Sequence, residues 1–172
     1  MKFSEDIKNW SGKPKELIAT LSDKVVLEPK LFSEVIELLG SGSKVERGYA
    51  ADITEQLSKS NPEIIAPYIG TLISHINDKV PKVKWGTQEA IGNLSAKYPK
   101  ETEQAIPKIL LNTKDDSTVV KWCAAYALSE IAKNNPAARA MLVPKMREIV
   151  LTEKNNGVKN VYLKAIKKIG KN

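Results

Sequence analysis

Apolar residues along this chain recur at the spacing of one helix face, and the helices so defined recur at a second, longer spacing. Val120, Ala124, Ala125, Ala127, Leu128 and Ile131 stand at offsets 0, 4, 5, 7, 8 and 11, which at ~100° per residue fall within about 140° of one another on an α-helix. The same register holds Val83, Thr87, Ala90, Ile91 and Leu94 earlier in the chain, and Val158, Tyr162, Leu163, Ala165, Ile166 and Ile169 later. A further stripe, Ala50, Ala51, Ile53 and Leu57, fits one residue out of step. The starts Val83, Val120 and Val158 are 37 and 38 residues apart.

A second helix precedes each of these and carries a proline. Pro67 leads Ile69, Leu72 and Ile73; Pro107 leads Ile109, Leu110 and Leu111; Pro144 leads Met146, Ile149 and Val150. With Pro29, these prolines are separated by 38, 40 and 37 positions, and the pairs Asn61-Pro62, Tyr98-Pro99 and Asn135-Pro136 recur 37 apart. Proline within a helix removes a hydrogen bond and clashes with the preceding turn, so the column predicts a repeated bend or helix start. Residues 40–43, 77–78, 115–117 and 155–157, built from Asn, Asp, Gly and Ser, read as turns.

A fixed period filled with helical patterning predicts a stacked array. The expected fold is all-α, a right-handed α-α superhelix (solenoid) of about four helical pairs plus an N-terminal capping helix. The chain reads as a single domain over 1–172, with repeats at about 22–60, 61–97, 98–134 and 135–172. The cap is expected in 1–21, where Pro14 is followed by Leu17, Ile18 and Leu21.

Composition adds limits. With 42% apolar and 27% charged residues the chain has the make-up of a globular protein, and no apolar run reaches the ~18 residues of a membrane span. Glu5 and Asp6 occupy the place where a secretory leader is apolar. One cysteine, Cys123, leaves neither an internal disulfide nor a cysteine-based zinc cage. The expectation is a cytoplasmic protein with no metal and no cofactor. Net charge is +7 but uneven: residues 1–78 hold 9 basic against 12 acidic side chains, and residues 79–172 hold 18 against 8. Of the 27 basic residues 24 are lysine, whereas arginine is the residue suited to bidentate phosphate or base contacts.

The proline, the turn acid and the Val-Lys pair of Pro107, Asp115 and Val120-Lys121, repeated in Pro67, Asp78 and Val83-Lys84, resemble HEAT repeats over roughly residues 22–170. The resemblance implies an α-solenoid whose second helices line the concave side, with a ladder of turn acids and basic residues between repeats. The spacings of Asp78 to Lys84 and Asp115 to Lys121 fit that ladder. Ser41 before Arg47 departs from it, and Glu153 stands six before Lys159. The column Arg47, Lys84, Lys121 and Lys159 thus has two readings, a phosphate-contacting stripe or inter-repeat pairing.

Opposite the buried stripe lie offsets 2, 6, 9 and 13: Trp85, Glu89, Gly92 and Ala96, then Trp122, Tyr126, Ser129 and Lys133, then Asn160, Lys164, Lys167 and Lys171. These positions are expected to face solvent, with the two tryptophans on adjacent helices roughly 10 Å apart. Exposed clustered aromatics signify contact with a partner; the alternative is that the indoles fold against the next repeat. The expected binding residues are Trp85, Glu89, Trp122, Tyr126, Lys133, Lys164 and Lys167. The partner expected is a protein with an acidic or mixed apolar and acidic surface. Nucleic acid, gripped by stacking and lysines, is the alternative.

Catalysis finds little foundation. His75 is the sole histidine, Cys123 has no histidine in its repeat to act as base, and no glycine-rich phosphate loop or nucleophile elbow is present. Trp85 and Glu89 facing Trp122 and Tyr126 are similar to the concave aromatics and carboxylate of HEAT-like DNA alkylpurine glycosylases. That resemblance implies a base-excising site, but Glu stands for Asp and no arginine falls on the outward offsets.

Overall fold

A computed structural model describes residues 2–171. Among them twelve α-helices form, with no strand. In chain order they are α1 (Lys2–Asn9), α2 (Pro14–Leu27), α3 (Phe32–Ser41), α4 (Lys44–Ser60), α5 (Pro62–Ile65), α6 (Ile69–Ser74), α7 (Pro81–Leu94), α8 (Pro99–Glu103), α9 (Ile106–Asn112), α10 (Thr118–Asn134), α11 (Pro136–Thr152) and α12 (Asn156–Ile169). Short 3₁₀ turns occupy Pro29–Leu31 and Ala66–Tyr68.

The starts and stops follow local chemistry. Pro14, Pro62, Pro81, Pro99 and Pro136 each open a helix, where the missing N–H has no partner to lose. Ser43, Ser117, Asn135 and Asn155 cap α4, α10, α11 and α12 by accepting a backbone N–H three residues on. The proline column acts in two ways. Pro29 and Pro67 sit in the 3₁₀ turns and Pro107 opens α9 after a break, whereas Pro144 is accommodated inside the continuous α11.

The helices form two layers. The long α4 packs along α7, α7 along α10 and α10 along α12, while α2 packs on α4 at the N-terminal end. The short helices α1, α3, α5–α6 and α8–α9, together with the long α11, form the second layer, and the core lies between. The expected stripes are buried: Val83, Val120 and Val158 are at most 1% exposed. Leu163 departs, 46% exposed, because the array places no further helix over that flank of α12. The N-terminal segment holds α1 and then α2, which runs on to Leu27 and packs on α4 at the end of the row.

The α4–α7–α10 row is packed through small residues. A Cβ built on Gly86 would lie 2.8 Å from both the Cβ and the carbonyl oxygen of Ala51, and one on Gly92 would lie 2.8 Å from the Tyr126 ring. With these two glycines α7 approaches both neighbours more closely than any larger residue allows.

The turn acids bind the repeats. Asp78 pairs with Arg47, Asp115 with Lys84 at 2.6 Å, and Glu153 with Lys121 at 3.0 Å. Each acid also accepts a backbone N–H two residues on, from Val80, Ser117 or Asn155. Burial opposes ionisation of all three, yet these hydrogen bonds and cations hold each carboxyl below its ordinary value. The basic column is thus occupied by inter-repeat pairing at Arg47, Lys84 and Lys121, not held free for phosphate. Counted from position 46, Ala50, Ala51, Ile53 and Leu57 stand at offsets 4, 5, 7 and 11, so the first stripe is in register and differs only in its opening residue, Glu46. It stands one period before Val83 and closes a capping box on Ser43 while accepting from Ser4 of α1.

We expect Gly86→Ala to lose about 1–3 kcal/mol of stability through overpacking on Ala51. Gly70 has nothing within 4 Å of its added Cβ, so Gly70→Ala should be neutral or gain up to about 1 kcal/mol. Urea unfolding of both variants beside the parent checks the pair; equal effects would contradict the close approach of α4 and α7.

Candidate functional site

The candidate face is assembled from one flank each of α4, α7 and α10. Trp85 is partly buried, and its indole Nε1–H is enclosed without a hydrogen-bond partner. Trp122 is 39% exposed and stacks on Tyr126, centroids 5.8 Å apart and planes within 3°. That stack rests on Gly92: the Tyr126 ring lies across the glycine, and its hydroxyl donates to Asn93 Oδ1. Asn93 in turn donates to Ser58 Oγ at 2.9 Å, so one polar relay crosses α10, α7 and α4. Burial, and then the carboxylates Glu130, Glu89 and Glu55, push the Tyr126 phenol up to about 12, and it stays a neutral donor.

Carboxylates, most of them paired with lysines, surround the aromatics. Asp52, Glu55, Glu89 and Glu130 line the face. Lys82 pairs with Asp52, Lys59 with Glu55 and Lys133 with Glu130. Glu89 has no ion pair of its own among the described residues. Its Oε1 accepts a weak hydrogen bond from Cys123 Sγ at 3.6 Å. Burial and the neighbouring Glu55 raise the Glu89 carboxyl above its ordinary value, a like-charge arrangement that disfavours ionising both groups. The Cys123 thiol is buried and pushed up by burial and by Glu89, which leaves it unreactive.

Of the residues expected at the site, Trp122 and Tyr126 stack, Glu89 meets Cys123 next to Trp122 in sequence, and Trp85 lines a groove toward α4. Lys133 is tied to Glu130 on its own helix. Lys164 and Lys167 are exposed on α12, apart from the aromatics and without an ion pair among the described residues. Gly92 and Ser129, expected outward, are buried: an inner helix is covered on both flanks by its neighbours, so its open arc is narrower than the polar half of an isolated amphipathic helix. The expectation of an acidic partner surface meets carboxylates at the centre of the face, and only the α12 end is basic. Glu55 and Asn93 were not foreseen; Asn93 sits one turn beyond Glu89.

A groove of about 450 Å³ adjoins Trp85, lined also by Val45, Gly48, Tyr49, Val80 and Lys82. Gly48 stands 37 residues before Trp85, as Trp85 stands 37 before Trp122. Glycine thus occupies the tryptophan column in this repeat, and the groove lies where a third indole would be.

Arg47 is bound to Asp78, and Arg139 donates to the carbonyls of Ala132 and Lys133, so neither joins Glu89 as the glycosylase-like reading requires. His75 contacts Asp78 at 3.1 Å in its turn. Among the described residues no group of three His, Cys, Asp or Glu side chains could hold a metal ion, and no helix is long and apolar enough to cross a membrane.

No known family profile matches the chain. No curated protein matches it. Solved structures share its fold. An engineered protein superposes with a TM-score of 0.76 at 20% identity, over 99% of this chain and 81% of that one. A designed armadillo repeat protein gives 0.68 at 20% identity, over 88% and 68%. A second, in complex with the peptide (KR)4, gives 0.68 at 21% identity, over 91% and 70%. The chain is an armadillo-like α-solenoid, and these structural neighbours are engineered or designed repeat scaffolds.

Because the Glu89 carboxyl is raised, ionising it costs the folded state more than the unfolded one. Stability contributed at low pH is lost as pH rises from its ordinary value of 4.5 through its folded value. Glu89→Gln should therefore melt above the parent at neutral pH, with the gap closing toward pH 4.5. Thermal melts across that range check the sign, and a gap that widens on acidification would contradict it.

Proposed function

We propose that this protein is a non-catalytic scaffold that binds an extended segment of a partner protein along its concave face. The observation that carries the reading is the preformed Trp122–Tyr126 stack, seated on Gly92 and held by the Asn93–Ser58 relay. Its apolar surface is open to solvent while its geometry is already fixed, so little ordering entropy is lost when a segment docks. Large rigid aromatics at the centre of a concave surface are the usual energetic anchors of protein recognition. Trp85 and Glu89 continue the face on α7, with Lys133 at its edge. Lys164 and Lys167 extend it along α12, where they suit acidic residues of the same partner. The likeness to a designed armadillo protein holding a peptide supports a polypeptide ligand in general terms.

Nucleic acid is less well served. Asp52, Glu55, Glu89 and Glu130 lie where a phosphate backbone would have to run, and three of the column's basic residues are consumed by Asp78, Asp115 and Glu153. A repulsive centre between stacking platforms works against single-strand binding, which pairs such platforms with a positive groove.

Selection from a displayed random-peptide library tests the proposal. Immobilised parent protein should enrich peptides whose affinity falls about fivefold or more in Trp122→Ala. Enrichment of no Trp122-dependent peptide, together with salt-sensitive binding of single-stranded DNA, would overturn it.

A further inference from the structure

We infer that the segment taken up by this face carries an arginine or lysine over Glu89 and an apolar side chain in the groove above Gly48. The inference rests on the peptide-binding reading above and specifies its ligand. Two observations meet within one turn of α7, because Trp85 walls the groove and Glu89 follows four residues later on the same flank.

The first is a charge left over. Lys82, Lys59 and Lys133 are each engaged by Asp52, Glu55 and Glu130, so four carboxylates face three ammonium groups, and Glu89 is the one unmatched. It stands beside Glu55, with the Cys123 thiol as its hydrogen-bond donor. A guanidinium or ammonium group arriving there relieves the repulsion between the two carboxylates and forms charge-assisted hydrogen bonds in a half-buried setting. The Trp122–Tyr126 stack on the adjacent helix offers an aromatic face for the same cation and its aliphatic stem. An anionic or neutral polar side chain gains none of this.

The second is a space left open. The tryptophan column runs through positions 48, 85 and 122, and glycine at the first leaves an apolar trough between α4 and α7 walled by Val45, Tyr49, Val80 and Trp85. Val45 is 63% exposed. A Cβ added at Gly48 would meet the Lys82 side chain at 3.1 Å and nothing closer. Lys82 is flexible at that point, so the trough can be filled by substitution without disturbing the backbone.

Fluorescence anisotropy with labelled synthetic peptides tests the inference. The probes alternate leucine and arginine in a glycine-serine background; matched sets replace each arginine with citrulline, its neutral isostere, or with glutamate. The arginine set should bind about tenfold more tightly than the citrulline set, with the glutamate set weakest. Glu89→Gln should erase the arginine preference. Gly48→Leu should weaken the arginine and citrulline sets by a similar factor and leave their ratio intact, with circular dichroism melts confirming that both variants fold. Equal binding of arginine and citrulline sets, or an unchanged preference in Glu89→Gln, overturns the assignment of Glu89. If library-selected peptides still depend on Trp122 in that case, the docking face stands and only its ligand chemistry falls. If neither these probes nor any selected peptide binds, the functional reading falls with it.

Discussion

The close approach of α4, α7 and α10 is the contact on which everything else in this protein depends. Gly86 against Ala51 and Gly92 against Tyr126 let three helices lie nearly in van der Waals register along the inner row. The outer layer is broken near Pro29, Pro67 and Pro107, whereas α11 runs through Pro144 without a break. The close approach of the inner row decides which side chains reach its open face. Tyr126 lies flat across α7 because residue 92 has no side chain, and Trp122 has a surface to stack on because Tyr126 lies flat.

Electrostatics then divides the molecule into two functions. Along one edge, Arg47, Lys84 and Lys121 meet Asp78, Asp115 and Glu153 of the following repeat, and each acid also ties down the next turn through a backbone N–H. These pairs are partly buried and doubly bonded, so they fix the stacking angle between repeats; exposed pairs of the same kind contribute little. On the concave face the balance is left unfinished at Glu89. The fold tolerates this unmatched carboxylate half buried, where burial and the neighbouring Glu55 raise it above its ordinary value. A partner with the opposite charge turns that tolerance into affinity.

Much of this was legible in the residues alone, because repeat period and helix period are independent signals that agree. Val83, Val120 and Val158 mark both, and all three are buried as that agreement requires. The proline column was a weaker guide, since Pro144 sits inside α11 while Pro29, Pro67 and Pro107 mark turns or starts. The aromatic pair was legible from its 37-residue spacing, but its setting was not. Treating each helix as a cylinder with one wet half places Gly92 and Ser129 outward, whereas flanking helices bury both. The same simplification hid Glu55. With Glu46 in place of the opening valine the α4 stripe looks shifted, although counted from Glu46 it is in register and sets Glu55 at outward offset 9. Bulk charge gave no view of the local setting, since Lys164 and Lys167 lie on α12 while Lys82, Lys59 and Lys133 are paired with carboxylates.

The chain has three tryptophans, and their indole N–H resonances report directly on where a ligand sits. Trp10 donates to the Lys13 carbonyl near the N-terminal end, remote in sequence and setting from Trp85 and Trp122. A ¹H–¹⁵N correlation spectrum recorded while a library-selected peptide is added should shift the Trp85 and Trp122 indole signals and leave Trp10 unmoved. A shift confined to Trp10, or bound peptide with both inner-row indoles unchanged, would contradict a concave docking face.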